Sequence, residues 1–235
     1  MQQTIDHNKI LTEGIALLTS GTTAPPKKIF QSPEKLNAAN SAALDSQQLT
    51  KESKVYTVCK LAHAGGLLAQ TLPALSIGAE VIIEDFNAYR FVRKIKDYTH
   101  THISPGHAHL IMQTKAFNDL NLTGIWVTCG SDSVDWGIIE AFVKRGATFM
   151  TNWGMSEIGP CAINTVFRNM DDVVYHQEEM LKDATLLGTR FYCDWKVVDE
   201  QLYVKGDICV HDDWFATGDW VVTNSSGTPY YKGRL

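Results

Sequence analysis

Residues 19 to 28, Thr19-Ser-Gly-Thr-Thr-Ala-Pro-Pro-Lys-Lys28, gather four hydroxyls and two ammonium groups around one glycine, directly after the apolar run Ile15-Ala-Leu-Leu18. Hydroxyls and backbone N–H groups donate to phosphate oxygens, Gly21 lets the main chain come close, and a lysine supplies a point charge, so the chemistry predicted is polyphosphate binding. The mononucleotide pattern G-x-x-x-x-G-K-S/T does not fit: Pro26 stands where its second glycine belongs, and Lys28 where a hydroxyl must meet magnesium.

Four further groups carry chemistry. Asn152-Trp-Gly-Met-Ser-Glu157 sets a hydroxyl beside a carboxylate, and Trp214-Phe-Ala-Thr-Gly-Asp219 ends on a second carboxylate. Leu61-Ala-His-Ala-Gly-Gly-Leu67 places His63 beside Gly65 and Gly66. His100, His102, His107 and His109 put four imidazoles in ten residues, a spacing compatible with a zinc site.

The elements that must position these groups alternate. Short β-rich runs at Ile15–Leu18, Val55–Cys59, Val81–Ile83, His102–Ser104, Ile125–Cys129 and Thr148–Thr151 are separated by helical stretches. Those helices fall at Gly65–Leu75, interrupted or ended near Pro73, and at Tyr89–Tyr98, His107–Gln113 and Asp135–Arg145. Phe91, Val92, Ile95 and Tyr98 share one helical face. The pattern predicts an α/β fold with a mostly parallel sheet flanked by helices. Trp195–Val198, Gln201–Val204, Ile208–Val210 and Trp220–Val222 predict a small antiparallel β lobe after it. The expected division is an α/β core over residues 1–165 and a β-rich lobe over 166–235.

Thr19, Ser20, Gly21, Thr22, Thr23, Pro26 and Lys27 match the phosphate-loop signature T-S-G-T-T-G-x-P-K-G, and the segment closely resembles that of the adenylate-forming superfamily. Ala24 and Lys28 depart from it. The other motifs follow in order. His63 with Gly65 and Gly66 resembles the acyl-pocket segment of acyl-CoA synthetases, and Cys129-Gly-Ser-Asp132 matches by position and type a G-G/A-A/E turn against adenine. Asn152–Glu157 resembles Y-G-x-T-E, Trp214–Asp219 resembles W-x-x-T-G-D, and Glu200–Gly206 resembles the G-E-L-x-V-x-G strand before it. Lys232-Gly-Arg234 matches the opening of the hinge motif G-R-x-D, and the chain ends at Leu235.

The resemblance implies ATP and magnesium as cofactors and a carboxylic acid as substrate, with CoA or a separate C-terminal-domain protein as further partner. It gives Lys27, Ser156 and Glu157 catalytic roles: β/γ charge neutralisation, an α-phosphate contact and magnesium, respectively. Thr19, Ser20, Gly21, Thr22, Thr23, Gly130, Ser131, Asn152, Trp153, Gly154, Asp219 and Arg234 would hold the nucleotide; His63, Gly65 and Gly66 would line the acid pocket. The activity implied is formation of acyl-AMP and pyrophosphate by a core truncated before the lysine-bearing C-terminal domain. The alternative is an impaired ATP- or acyl-adenylate-binding module, or one half of a split ligase. A zinc protein built on the histidines ranks third, because both histidine pairs fall on elements the resemblance already explains.

Composition agrees with a small-molecule partner. The 235 residues are 44% hydrophobic and 20% charged, with net charge −5, which excludes a disordered chain and gives no basic footprint for nucleic acid or an anionic membrane. The N-terminal residues lack a secretory pattern and no run is long enough to span a bilayer, so the expected location is the cytoplasm. Five widely spaced cysteines, never in C-x-x-C, are expected to be buried thiols.

Overall fold

The computed structural model describes residues 5–18 and 27–235. A short helix, α1 (His7–Glu13), leads into an antiparallel hairpin of β1 (Ile15–Leu18) and β2 (Lys28–Gln31), the two arms of the predicted phosphate loop. Helix α2 (Pro33–Ser46) starts where Ser32 Oγ accepts from Lys35 N and Pro33 sets the first turn. After β3 (Lys54–Thr57) come α3 (Ala64–Gly66), a π-helical turn (Leu67–Thr71) and α4 (Leu72–Ser76) in unbroken succession. Strand β4 (Glu80–Ile83), α5 (Ala88–Lys94), β5 (His100–Ile103), α6 (Pro105–Met112), β6 (Trp126–Gly130), α7 (Trp136–Val143) and β7 (Thr148–Met155) continue the alternation. Beyond it lie β8 (Gly159–Phe167), α8 (Met170–Glu178), β9 (Thr185–Leu186), β10 (Arg190–Phe191), β11 (Asp194–Val198), β12 (Gln201–Lys205), β13 (Phe215–Thr223) and β14 (Pro229–Arg234).

Among the described residues a seven-stranded sheet runs in the order β10-β8-β7-β6-β5-β3-β4. Its pairs from β4 through β7 are parallel, and β8 and β10 return antiparallel. Every residue of β5 and β6 is buried because helices cover both faces. On one face Phe91, Ile111, Ile138 and Phe142 pack on Tyr56, Ile103, Val127 and Phe149. On the other, Ala43 and Ala69 meet Trp126, Met150 and Val166, beside a leucine cluster of Leu36, Leu67, Leu68 and Leu72. A second, antiparallel sheet has the order β11-β12-β13-β14-β9. This is the expected α/β architecture with a separate antiparallel sheet.

Several local expectations are corrected. Pro73 does not end the helix, but the α-helical register is interrupted just before it by the π-helical turn. Leu72 N reaches back five residues to Leu67 O, and Ala69 O, which would face the N–H that proline lacks, accepts from Gln47 Nε2 at 2.6 Å. Ile208–Val210 is not a strand: Cys209 N turns back to Gly206 O and Val210 N donates to Glu157 O, so the segment docks on the site. Strand β8 was not foreseen, since Pro160 near its start argues locally against a central strand, yet all nine residues are buried. All five cysteines are free thiols; Cys129, Cys161 and Cys209 are buried and Cys59 and Cys193 half-buried. Among the described residues no helix is long and apolar enough to cross a membrane.

Candidate functional site

Gly130, Ser131, Asn152, Trp153 and the Ser156–Glu157 turn lie where the parallel strands end, at the carboxyl edge of β6 and β7, the usual ligand-binding edge of such sheets. Gly130 closes β6 opposite Asn152. A Cβ at position 130 would lie 2.3 Å from Asn152 Oδ1, so only glycine fits. Ser131 follows at φ 75°, a left-handed conformation that turns the chain outward at the strand end. Asn152 Nδ2 donates to Pro160 O at 2.6 Å, whereas its buried Oδ1 has no partner among the described residues and is available as an acceptor.

Ser156 and Glu157 sit in the turn between β7 and β8. Trp153 pairs with Ile163 and Met155 with Gly159, so residues 160–162 bulge opposite Gly154. A Cβ on Gly154 would lie 2.1 Å from Gly159 O, which fixes glycine there for packing rather than for ligand contact. The turn is held from two sides: Gln31 Nε2 on β2 donates to Ser156 O at 2.6 Å, and Val210 N donates to Glu157 O at 2.8 Å. Gln31 thereby ties the arm of the phosphate loop to the Ser156–Glu157 turn. Glu157 is 9% exposed, and Lys35, which pairs with Asp212 at 3.3 Å, shares with it the electrostatic environment of the Cys209 thiol, whose pKa is raised mainly by burial.

Among the described residues no group of three or more His, Cys, Asp or Glu side chains gathers as a metal cage. A single nearly buried carboxylate at Glu157 fits magnesium that takes its remaining ligands from phosphate oxygens and water. Lys27 is exposed at the foot of β2. Thr19, Ser20, Gly21, Thr22 and Thr23 lie outside the described residues.

Asp219 is 5% exposed and has both carboxylate oxygens engaged. Trp153 Nε1 donates to Oδ2 at 2.9 Å, and Arg234 Nη1 donates to Oδ1 at 2.6 Å and to Thr217 O at 2.8 Å. Asp219 and Arg234 are cross-strand partners on β13 and β14. The Thr217-Gly-Asp219 tripeptide is a bulge within β13 rather than a chain-reversing turn: Gly218 has φ 75°, and Thr217–Asp219 lie opposite Leu202 between two registered pairs. A carboxylate accepts about four hydrogen bonds, so two acceptor positions remain for ribose hydroxyls. Trp153→Phe keeps the ring and removes the indole donor. Calorimetry is expected to give about three- to tenfold weaker ATP binding and unchanged binding of an analogue lacking both ribose hydroxyls; equal losses for both nucleotides contradict this geometry.

Between α3 and the ends of β6 and β7, a cavity of about 40 Å³ is lined by Ala64, Gly65, Ser131, Asn152, Gly154 and Met155, with Pro160. Gly65 faces it. Gly66 serves the backbone instead, because a Cβ there would lie 2.0 Å from Lys60 O. His63 precedes α3, is exposed, and makes no side-chain cap to the helix.

The four histidines do not converge. His100 is held by Thr99 Oγ1 at 2.8 Å and Gln47 O at 3.1 Å, His107 stacks on Phe86 with centroids 3.9 Å apart, and exposed His109 lies 3.4 Å from Asp135. Sequence reading passed over Gln31, Lys35 and Gln47. The first two flank the N-cap pattern Ser32-Pro33, a helix-start signal that places them beside the phosphate-loop arm. Nothing local marks Gln47.

Comparisons with known proteins bear on the family and the fold. Residues 15–220 match the family model described as AMP-binding enzyme. An indoleacetate–CoA ligase of Aromatoleum aromaticum is 31% identical over 150 residues, covering 61% of this chain and 29% of that protein. An acyl-CoA synthetase of Gibberella moniliformis is 23% identical over 158 residues, or 66% and 29% of the respective chains. Among solved structures, the inhibitor-bound N-terminal domain of FACL13 from Mycobacterium tuberculosis superposes with TM-score 0.76 at 17% identity, over 94% of this chain and 60% of that one. ATP-bound MatB from Rhodopseudomonas palustris gives 0.75 at 17% identity, over 93% and 47%. These two likenesses establish the fold. The chain spans 29% of the length of the curated relatives it matches.

Proposed function

We propose that this chain, which belongs to the family of AMP-binding enzymes, is the nucleotide- and acid-binding core of an ATP-dependent carboxylate ligase. The observation that carries the reading is the convergence, at one sheet edge, of the Ser156–Glu157 turn, the Gly130–Ser131 shelf and the Trp153–Asp219–Arg234 cluster beside a small cavity. In the reaction, a carboxylate oxygen of the acid attacks the α-phosphorus of ATP. The bond from that phosphorus to the bridging oxygen breaks, and pyrophosphate leaves with the electron pair.

Positioning and charge stabilisation do most of the work in such a displacement. The hydroxyls and backbone of Thr19, Ser20, Gly21, Thr22 and Thr23 receive the phosphates, Lys27 offsets β/γ charge, and Ser156 Oγ donates to the α-phosphate. Glu157 would hold magnesium, whose contribution when bound is to neutralise charge on the phosphates. Asp219 and Arg234 hold the ribose, Trp153 gives adenine a face, and Gly130, Ser131 and Asn152 border its edge. The acid enters past His63 to Gly65, while Gly66 supports the backbone behind it. The names of the relatives, an indoleacetate–CoA ligase and an acyl-CoA synthetase, favour an aryl or acyl acid, with CoA as acceptor. In this reading residues 1–165 are the ATP/acyl core and 166–235 a lobe ending at an interdomain hinge.

The lysine that bridges carboxylate and α-phosphate in the family belongs to a C-terminal domain beyond the matched residues. A second reading is a catalytically impaired ATP- or acyl-adenylate-binding module, or one half of a split ligase. Carboxylate-dependent ATP–pyrophosphate exchange over an acid panel, with and without an added C-terminal domain, separates them. Exchange by the chain alone, lowered about a hundredfold in Lys27→Ala, supports the ligase core. Exchange only with the added domain supports the split enzyme, MgATP binding without exchange in either arm supports a binding module, and neither binding nor exchange refutes both readings.

A further inference from the structure

Gln31 ends β2, the strand that follows the predicted phosphate loop, and its side chain is fully buried. Its Nε2 donates at 2.6 Å to Ser156 O, 125 residues along the chain, while Oε1 has no partner among the described residues. An unpaired buried amide oxygen costs stability, and an apolar side chain of the same volume would fill the position without that cost. What the amide adds is one donor aimed at the turn. The residue that carries it is anchored: its main chain pairs with Ile15 on β1, and a Cβ on Gly14 would lie 2.4 Å from Gln31 O, so glycine at 14 lets the two backbones close together.

The acceptor matters as much as the donor. Ser156 O belongs to the planar peptide unit that joins Ser156 to Glu157, so one bond to that oxygen orients the hydroxyl-bearing and the carboxylate-bearing residue together. The far side of the turn leads back to the same part of the chain: Val210 N donates to Glu157 O at 2.8 Å, and Asp212 pairs with Lys35 in the first turn of α2, which Ser32 alone separates from β2. Asp212 is exposed, which makes that ion pair the weaker tie and leaves the buried Gln31 amide as the stronger one. Resting on the reading of Lys27 as a phosphate group and Glu157 as the magnesium ligand, we propose that Gln31 is a positioning residue that couples the two: by holding Ser156 O it fixes the Glu157 carboxylate relative to the phosphate-loop arm, so that the metal tightens nucleotide binding. Without the donor the peptide is free to turn, Glu157 no longer meets a metal on phosphates held by the loop, and the advantage of MgATP over ATP shrinks.

The test is nucleotide affinity with and without the metal. Calorimetry with ATP in EDTA and with ATP in saturating magnesium gives the factor by which magnesium tightens binding. Wild type is expected to show a factor of about ten to a hundred. Gln31→Met keeps the length and volume of the side chain but donates nothing; its factor is expected to fall to within about threefold, while its affinity for ATP in EDTA stays within about twofold of wild type. An undiminished factor in Gln31→Met overturns the proposal, and so does an affinity that falls equally with and without metal, the result for a side chain that only supports the fold. If the methionine variant does not fold, NMR of nitrogen-labelled glutamine side chains in wild type decides instead: a shift of the Gln31 amide when magnesium is added to the ATP-bound protein supports the coupling, and an unmoved amide overturns it. A factor lost in Glu157→Gln but kept in Gln31→Met leaves the metal reading intact while this inference fails. Wild type that binds no ATP, or binds it equally with and without magnesium, overturns that reading and the inference with it.

Discussion

Glu157→Gln is expected to lower carboxylate-dependent ATP–pyrophosphate exchange by on the order of a hundred- to a thousandfold, the usual loss when one charge-stabilising group is removed from a transition state. The fold around it should survive. The contacts that hold the turn are made by main-chain atoms, Ser156 O with Gln31 and Glu157 O with Val210 N, and glutamine has the same shape as glutamate. The loss therefore belongs to the charge. Affinity for ATP measured in EDTA should stay within about twofold of wild type, because the carboxylate acts on nucleotide only through the metal. A variant that retains more than a third of wild-type exchange would remove Glu157 from the metal site.

The second large effect is on stability. Gln47 is fully buried and joins three layers: its Nε2 donates to Ala69 O at 2.6 Å and Ala43 O at 3.0 Å, and its Oε1 accepts from Gln70 Nε2 at 2.8 Å and Thr128 Oγ1 at 2.7 Å. Leucine at 47 leaves the Ala69 carbonyl, whose α-helical donor is missing because residue 73 is proline, with only the weak Cys161 Sγ donor at 3.9 Å, and strands two donors, Gln70 Nε2 and Thr128 Oγ1. At roughly 1–3 kcal/mol for each stranded group, the expected cost is about 4 kcal/mol, or a fall of roughly 10 °C in Tm for a chain of this size. A shift below about 3 °C in differential scanning calorimetry would mean the π-helical turn does not depend on this side chain.

The same residue marks where sequence reading reaches its limit. The parallel core was legible because β-rich runs and one-faced helices repeat with their own periods, whereas the order of the strands emerges only in the fold. The Ser156–Glu157 pair, Asp219 and Arg234 were legible as motif letters, and the fold brings them together at one edge. Gln47 was not, since the glutamine pair Gln47-Gln48 at a helix end looks like surface until Pro73, 26 residues from Gln47, is seen to remove the α-helical donor to a carbonyl. Strand β8 was hidden by Pro160. Thr217-Gly-Asp219 was legible only as motif letters, whereas the fold makes it a bulge that brings Asp219 under Trp153 and beside Arg234. In each case the deciding partner lies far along the chain.

The central claim, attack of a carboxylate on the α-phosphorus, is tested most directly by following oxygen. An acid labelled with heavy oxygen in its carboxylate is incubated with MgATP and the protein, with hydroxylamine as acyl acceptor and a C-terminal domain added where the chain alone does not turn over. The account predicts label in AMP, one oxygen per turnover, with unlabelled pyrophosphate. Label in inorganic phosphate alongside ADP, or consumption of ATP without label in AMP, would contradict it.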